Sequence, residues 1–290
     1  MIHAACSGHN ANAKSAKRAG ANEKVQIIVQ ILPPSLRLLL TGCALLLASC
    51  AVLEPLPDLP EDRVTLTVTL PAGWAEVDVY RPPDAEPAPM LIIAHGFSRG
   101  RHNMAGWGRY LADAGVITVV PDLPAWADHE RNAQFLVELQ AELLSDAEWR
   151  ARIDARRLGL MGYSAGGLAS LLAAAELPNL MIWIGLDPVD RSGLGAAAAG
   201  RVLAQTVVIT AEPSACNAHG NAAGMVDALP APETRHITGA VHADAEWPGS
   251  RLADLACEPA TAEGRAAFRR QAASVLLDAF GLDSENQAND

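Results

Sequence analysis

Residues 158–167 have the sequence Leu-Gly-Leu-Met-Gly-Tyr-Ser-Ala-Gly-Gly, and an Ala- and Leu-rich segment follows them. The apolar beginning predicts a buried β-strand, and residues 165–176 have a helical pattern. Between them, Gly162-Tyr-Ser164-Ala-Gly166 matches the G-x-S-x-G pattern, in which a sharp strand-to-helix turn lifts a serine hydroxyl above the sheet. Side chains two residues on either side of the serine would collide in such a turn. The segment therefore predicts that Ser164 is a nucleophile.

A nucleophile that attacks a carbonyl group needs hydrogen-bond donors for the oxygen that becomes negatively charged. The first candidate donor is the backbone N–H of Ala165, at the start of the predicted helix. The second is the backbone N–H of Phe97, because His95-Gly96-Phe97 follows the apolar run 90–94. Each such donor stabilises the transition state by about 2.7–4 kcal/mol. We interpret His95 itself as a structural residue.

Strand and helix patterns alternate outward from this segment. Apolar and polar residues alternate in half-buried strand patterns at 63–70 and 76–80, and 233–238 is a late strand pattern. Continuous apolar runs, typical of strands covered on both faces, occur at 90–94, 116–120, 158–161, 180–186 and 206–210. Helical patterns occupy 102–114, 130–148, 165–176 and 263–281. The alternation predicts one α/β domain over 63–281, with a mostly parallel central sheet and helices on both faces.

The general base is expected in a loop after one of the last strands, since the nucleophile, acid and base follow one another in that order in such sheets. His242 lies just after the strand pattern 233–238 and is therefore the predicted base. His219, in a polar loop, is the fallback.

The acid that orients the base must be a carboxylate close to the imidazole. Asp187 directly follows the apolar run 180–186, and Glu212 follows 206–210. Position alone leaves both open as the triad acid. Asp190 lies further into the loop, where we expect it to be solvated.

These motifs together resemble the α/β-hydrolase superfamily, and within it the chlorophyllase-like and dienelactone-hydrolase-like serine esterases. The resemblance runs from about residue 76 to 281 and rests on His95-Gly96, Val120-Pro-Asp122, Gly162-Tyr-Ser-Ala-Gly-Gly167, Gly185-Leu-Asp-Pro-Val189 and Val241-His-Ala-Asp244. In the chlorophyllase-like group the Asp of the Asp-Pro-Val segment is the triad acid, which implies Asp187. Two positions depart from these groups: Val241 stands where Gly usually precedes the His, and Ser164 stands where dienelactone hydrolases have a Cys.

The resemblance implies a serine carboxylic-ester hydrolase that works through an acyl-enzyme with a Ser164-His242-Asp187 triad. Its substrate is a small-molecule or lipid-like ester that the sequence does not specify further. A serine peptidase or amidase of the same fold is an alternative, and so is a non-catalytic binding lipoprotein. The latter predicts a degraded triad, whereas all three residue types are present.

The composition excludes several other classes of protein. The chain has 290 residues, of which 50% are hydrophobic, so it can bury a large core. Its net charge is −11, and no Lys/Arg block interleaves with aromatic residues, so we expect no nucleic-acid partner. We expect a monomer.

The first part of the chain has the pattern of an export signal. A basic region and a short apolar run end at Leu47-Ala-Ser-Cys50, which resembles the lipobox of bacterial lipoproteins. We predict that 1–49 is a signal peptide of the lipoprotein type and that a lipid on Cys50 anchors the protein to the cell envelope. Residues 50–62 would form a Pro-rich tether, and 282–290 a polar tail.

Export places the two cysteines of the predicted domain in an oxidising compartment. We predict a disulfide between Cys216 and Cys257, the alternative being two buried thiols. No His/Cys cluster has metal-ligand spacing, so we expect neither a metal nor a cofactor.

The cleft above the sheet is expected to be open. The segment 191–205 is too short to form a large cap domain between the strands. Phe97, Trp126, Trp183 and Trp247 are candidates either to line the cleft or to pack in the core. Arg99, Arg101 and His102 are candidates for contacts with an anionic substrate or for plain surface charge.

Overall fold

A single sheet runs through the part of the chain that the computed structural model describes, which is residues 63–83, 87–249 and 257–282. The predicted signal peptide, Cys50, the tether 50–62 and residues 283–290 of the predicted tail lie outside the described residues. None of the described helices is long and apolar enough to cross a membrane.

The described sheet has eight strands in the spatial order β1-β2-β4-β3-β5-β6-β7-β8. They are β1 Arg63–Leu70, β2 Gly73–Tyr80, β3 Ala88–Ala94, β4 Ile117–Pro121, β5 Ile153–Tyr163, β6 Ile182–Leu186, β7 Gln205–Thr210 and β8 Glu233–His236. Strand β2 pairs antiparallel with β1 and β4, and all other pairs are parallel. Every residue of β3, β4 and β6 is buried, as their continuous apolar sequences predict. The prediction of a mostly parallel sheet is confirmed.

Seven α-helices accompany the sheet in the described residues. They are α1 Ala105–Asp113, α2 His129–Ser145, α3 Ala147–Arg152, α4 Ala165–Ala174, α5 Leu194–Ala199, α6 Ala223–Ala228 and α7 Ala262–Phe280. Two 3-10 turns, Arg101–Met104 and His242–Ala245, lie beside the carboxyl ends of the parallel strands. The segment between β6 and β7 holds only the short helix α5, so no large cap covers the described sheet.

One predicted helix is divided in two. The helical pattern 130–148 is interrupted at Asp146, whose backbone is extended with ψ of 131°. Its carboxylate accepts hydrogen bonds from the N–H groups of Glu148 and Trp149 at 2.9 and 3.0 Å, which caps α3. A capping Asp stabilises the new helix by about 1 kcal/mol, which makes the break favourable.

Two apolar clusters cover the two faces of the sheet. Helices α2 and α4 pack in one cluster, through residues such as Phe135 and Leu171. Helices α1 and α7 pack in the other, through residues such as Trp107 and Phe268. Each large side chain buried in this way contributes about 1.5–3 kcal/mol to stability. Both layers pack against the sheet, and this packing positions the groups that follow its strand ends.

Candidate active site

The turn between β5 and α4 has the strained geometry that a nucleophile elbow requires. Ser164 has φ of 54° and ψ of −121°, a conformation that side chains with a Cβ seldom adopt. A Cβ added to Gly162 would lie 2.2 Å from the carbonyl oxygen of Gly166. A Cβ added to Gly166 would lie 2.3 Å from the carbonyl oxygen of His95. Glycine is therefore needed on both sides of Ser164, because the obstacles are backbone atoms.

The structure brings Ser164, His242 and Asp187 into one chain of contacts. His242 Nε2 lies 2.9 Å from Ser164 Oγ, and His242 Nδ1 lies 2.5 Å from Asp187 Oδ2. All three residues are buried, so water competes weakly for these hydrogen bonds. If Nδ1–H donates to the carboxylate, Nε2 is the free acceptor for the serine proton, as proton transfer from the hydroxyl requires.

The carboxylate of Asp187 is held by two further donors. Its Oδ1 accepts the backbone N–H of Ala211 at 3.0 Å, and its Oδ2 accepts the Nδ2 amide of Asn217 at 3.0 Å. The residue itself sits in a left-handed turn with φ of 41°, directly after β6. These contacts fix the carboxylate in the direction of His242.

Asn217 is a residue that the sequence did not single out. Its Nδ2 also donates to the carbonyl of Glu212 at 2.9 Å. Its Oδ1 accepts the N–H groups of Ser214 and Gly220 at 2.8 and 3.1 Å. The side chain is 1% exposed, so these bonds are shielded from water.

The neighbouring Cys216 is joined to Cys257 by a disulfide with a Cα–Cα distance of 5.9 Å.

Glu212, the alternative acid, and His219, the fallback base, have no recorded contact with Ser164 or His242 among the described residues. Glu212 Oε1 accepts the N–H of Gly239 at 2.9 Å and lies 3.3 Å from His236 Nε2. This backbone hydrogen bond lowers the pKa of the Glu212 carboxyl. His219 is exposed, in a left-handed turn with φ of 58°.

Asp190 is buried, so the expectation that it is solvated was wrong. Its two carboxylate oxygens accept the N–H groups of Gly195 and Ala196 at 2.8 and 3.1 Å, at the start of α5. The free N–H groups of this short helix explain the burial, because they need an acceptor.

The two candidate oxyanion donors belong to backbone segments next to Ser164. A Cβ on Gly96 would be 2.9 Å from the Tyr163 ring and 3.3 Å from Ser164 Cβ, so the loop before Phe97 passes directly against the nucleophile. Phe97 and Ala165 line one cavity, which also includes Gly96 and Gly166. The assignment of the Phe97 and Ala165 N–H groups as oxyanion donors stays a prediction.

His95 holds this loop in place. Its Nδ1 lies 2.9 Å from the carbonyl oxygen of Gly96, and its Nε2 lies 2.9 Å from the backbone N of Leu123. A backbone N–H can only donate, so Nε2 is an acceptor and the imidazole is neutral. Burial lowers the pKa of His95, which favours the same neutral form. His95 therefore connects the loop after β3 to the loop after β4.

The arginines after Phe97 are engaged in ion pairs within the protein. Arg99 Nε donates to the carboxylate of Glu246. Arg101 donates to Asp122 and Glu76, and its Nε lies 3.3 Å from Asp78 Oδ1. Neither arginine is therefore plain surface charge.

The four aromatic residues fall into different environments. Phe97 and Trp126 are 48% and 74% exposed, and their rings stack with centroids 5.0 Å apart and planes at 19°. The indole Nε1 of Trp126 donates to Ser98 Oγ at 3.2 Å. Trp183 is fully buried in the core, and Trp247 packs against Tyr110 with Arg269 over its ring. Phe97 and Trp126 are thus the exposed aromatic surface beside the candidate active site.

In residues 63–83, 87–249 and 257–282, no group of three or more His, Cys, Asp or Glu side chains is arranged to hold a metal ion.

The mostly parallel sheet and the elbow after β5 define an α/β hydrolase. The chain belongs to the PET hydrolase-like family, whose model matches residues 58–254. The predicted resemblance to the α/β-hydrolase superfamily is confirmed.

Similar proteins come from both curated sequences and solved structures. The chain is 36% identical over 106 residues to a bis(hydroxyethyl) terephthalate hydrolase from Streptomyces coelicolor, which covers 35% of this chain and 34% of that protein. It is 29% identical over 119 residues to cutinase est1 from Thermobifida alba, which covers 40% of each chain. The matches thus span well under half of these relatives. The structure of a dienelactone hydrolase from Anabaena variabilis has a TM-score of 0.52 at 21% identity, covering 62% of this chain and 87% of that chain.

Proposed function

We propose that this protein is a serine carboxylic-ester hydrolase. The observation that carries the proposal is the continuous set of contacts from Ser164 through His242 to Asp187. This arrangement can activate a hydroxyl group at neutral pH without a metal or cofactor. The names of the similar proteins, a terephthalate-ester hydrolase and cutinases, favour esters over amides.

In the proposed reaction, Ser164 Oγ attacks the ester carbonyl carbon while its proton passes to His242 Nε2. The N–H groups of Phe97 and Ala165 stabilise the oxyanion. When the C–O bond breaks, His242 gives the proton to the leaving alkoxide, and an acyl-Ser164 ester remains. A water molecule then gives a proton to His242 and attacks the acyl carbon. The acid leaves, and Ser164 Oγ recovers the proton.

The proposed substrate is an ester with a planar aromatic ring or another flat apolar group near the carbonyl. Phe97 and Trp126 line the same cavity as Ala165, and their exposed, stacked rings form an aromatic surface there. Aromatic side chains bind flat rings through apolar contact and offset stacking. The open cleft, without a large cap over the described sheet, would admit a bulky substrate.

A fluorophosphonate probe tests the nucleophile. We expect the protein to be labelled and the label to disappear in Ser164→Ala. The matched control is Ser145→Ala, because Ser145 is an exposed serine at the end of α2. Hydrolysis of p-nitrophenyl butyrate should be lost with the label, and the corresponding p-nitroanilide should be cleaved much more slowly. Equal labelling of the wild type and Ser164→Ala would contradict the proposal.

We further propose that the protein is exported and anchored through a lipid on Cys50. The sequence pattern around Cys50 supports this, and the Cys216–Cys257 disulfide is suited to an oxidising compartment. Fractionation of cells that produce Cys50→Ala should show the protein released from membranes. Undiminished membrane retention of that variant would contradict the anchor.

A further inference from the structure

A buried ion pair joins the loop of the proposed oxyanion hole to the loop of the proposed base. Glu246 is fully buried and lies four residues after His242. Its Oε1 pairs with Arg99, two residues after Phe97, while its Oε2 has no hydrogen-bond partner among the described residues. The two residues are 147 positions apart in sequence, so the fold alone brings them together.

The two loops are already connected without this pair. Trp247 N donates to the carbonyl of Asn103 at 3.0 Å, and Gly106 N donates to the carbonyl of Trp247 at 2.8 Å. The indole of Trp107 donates to the carbonyl of Ala245 at 2.9 Å. A buried ion pair with an unpartnered oxygen is a poor way to add stability, because desolvation of the charges offsets their attraction. Its position suggests an electrostatic use instead.

Each member of the pair is associated with one of the two charges that the proposed reaction creates. Acyl transfer places a negative charge at the oxyanion, between the N–H groups of Phe97 and Ala165, and a positive charge on His242. Arg99 lines the same cavity as Phe97 and Ala165. Glu246 interacts electrostatically with His242. The cation therefore belongs to the cavity of the proposed oxyanion donors, and the carboxylate belongs to the loop of His242 and interacts with it.

We propose that Arg99 and Glu246 are positioning residues that stabilise the charge separation of acyl transfer. The proposal rests on the proposed esterase function. It assigns no contact with substrate to either residue. Fixed charges of this kind act strongly in a buried site, because no solvent reorganisation is needed when the reaction occurs.

Other charged groups surround the pair and are the same in all the variants considered below. Arg265 of α7 interacts with Glu246, and the ring of Tyr163 lies 4.8 Å from that of His242. Asp187 faces the other edge of His242. The carboxylate of Asp244 is occupied by the N–H groups of Val241 and Thr261. Burial raises the pKa of Glu246, and Arg99 opposes this shift.

Glu246→Gln is the direct test, because it removes the negative charge that interacts with His242. We expect kcat for p-nitrophenyl butyrate to fall roughly 10- to 100-fold with little change in KM. We also expect the acidic limb of the kcat/KM profile to move to lower pH, since the protonated imidazole is less favoured. The control is Glu176→Gln, which breaks the exposed pair between Glu176 and Arg201. It should change neither quantity.

Arg99→Gln is the second variant. The arginine side chain that it replaces is partly exposed. It removes the cation that opposes the raised pKa of the buried Glu246 carboxyl, so the neutral form of Glu246 is more favoured than in the wild type. We expect a reduced kcat with an acidic limb close to that of the wild type.

Folded Glu246→Gln with wild-type kcat and an unmoved acidic limb would overturn the proposal. If that variant does not fold, wild-type kcat in Arg99→Gln would overturn it. A wild-type protein that is neither labelled by the probe nor active would instead refute the esterase function. Failure of the charge-pair proposal and failure of the esterase proposal are therefore distinguishable.

Discussion

Replacing Asn217 with Ala tests whether the buried amide is what orients the proposed triad acid. The change removes four hydrogen bonds, one of them to the carboxylate of Asp187. A neutral hydrogen bond contributes about 0.5–1.5 kcal/mol and one to a charged group about 1.5–3 kcal/mol. Partial relaxation of the loop would keep the loss at the low end of the combined contribution of these four hydrogen bonds. We therefore expect a net decrease of about 3 kcal/mol in the free energy of unfolding.

Two measurements follow from that estimate. For a domain of this size the melting temperature should fall by about 6–12 °C, since 1 kcal/mol corresponds to about 2–4 °C. Because Asp187 keeps the donor from Ala211 but loses the one from Asn217, its carboxylate is less well fixed. We expect kcat for p-nitrophenyl butyrate to fall roughly 10- to 100-fold, measured well below the new melting temperature.

The matched control is Asn221→Ala. The side chain of Asn221 also bonds to backbone, accepting from Asp190 N at 3.0 Å and donating to Asp190 O. Among the described residues, its amide has no hydrogen bond to the triad. We expect a smaller loss of stability and a wild-type kcat. A melting temperature and kcat that Asn217→Ala leaves unchanged would refute the reasoning. A kcat that falls equally in both variants would show that loop stability alone is responsible.

Three further predictions concern single interactions. The folded protein should lose stability as pH falls below about 6.5, because the pKa of His95 is lowered in the folded state and the unfolded state therefore binds the proton first. Differential scanning fluorimetry should show that His95→Gln loses part of this pH dependence. Trp126→Ala should raise KM severalfold for aromatic esters while leaving kcat for p-nitrophenyl acetate within about twofold, whereas equal KM values would remove Trp126 from the proposed binding surface. Replacing Cys216 and Cys257 together with Ser should destabilise the protein by about 2–5 kcal/mol in urea unfolding, and an unchanged midpoint would contradict a stabilising role for the bond.

Much of the fold was predictable because its signals are local. The apolar runs that precede Ser164 and Asp187 need only their own composition to indicate buried strands, and the structure has β5 and β6 there. The break at Asp146 also had a local signal, since Asp before a short helical run is a capping pattern. The predicted helix over 130–148 missed it because the apolar pattern continues past the cap.

The contacts that position the candidate site were less predictable, because they join residues that are far apart in sequence. From the ends of their strands alone, Asp187 and Glu212 were equivalent as triad acids. The resemblance to the chlorophyllase-like group implied Asp187, and the structure has the Asp187 carboxylate against His242. Asn217 and Glu246 had no distinguishing sequence pattern. Their importance comes from buried partners contributed by other loops.

The turn at Ser164 also limits how such a protein can evolve. The groups that exclude a side chain at Gly166 are main-chain atoms at the end of β3 and the start of the loop after it, so no replacement of a neighbouring side chain can make room for one. A single substitution at Gly166 therefore disrupts this turn, and changes of neighbouring side chains cannot compensate for it. New substrate preferences are therefore expected to arise by exchange of residues in the surrounding loops, such as the one that carries Trp126, while the turn is inherited intact.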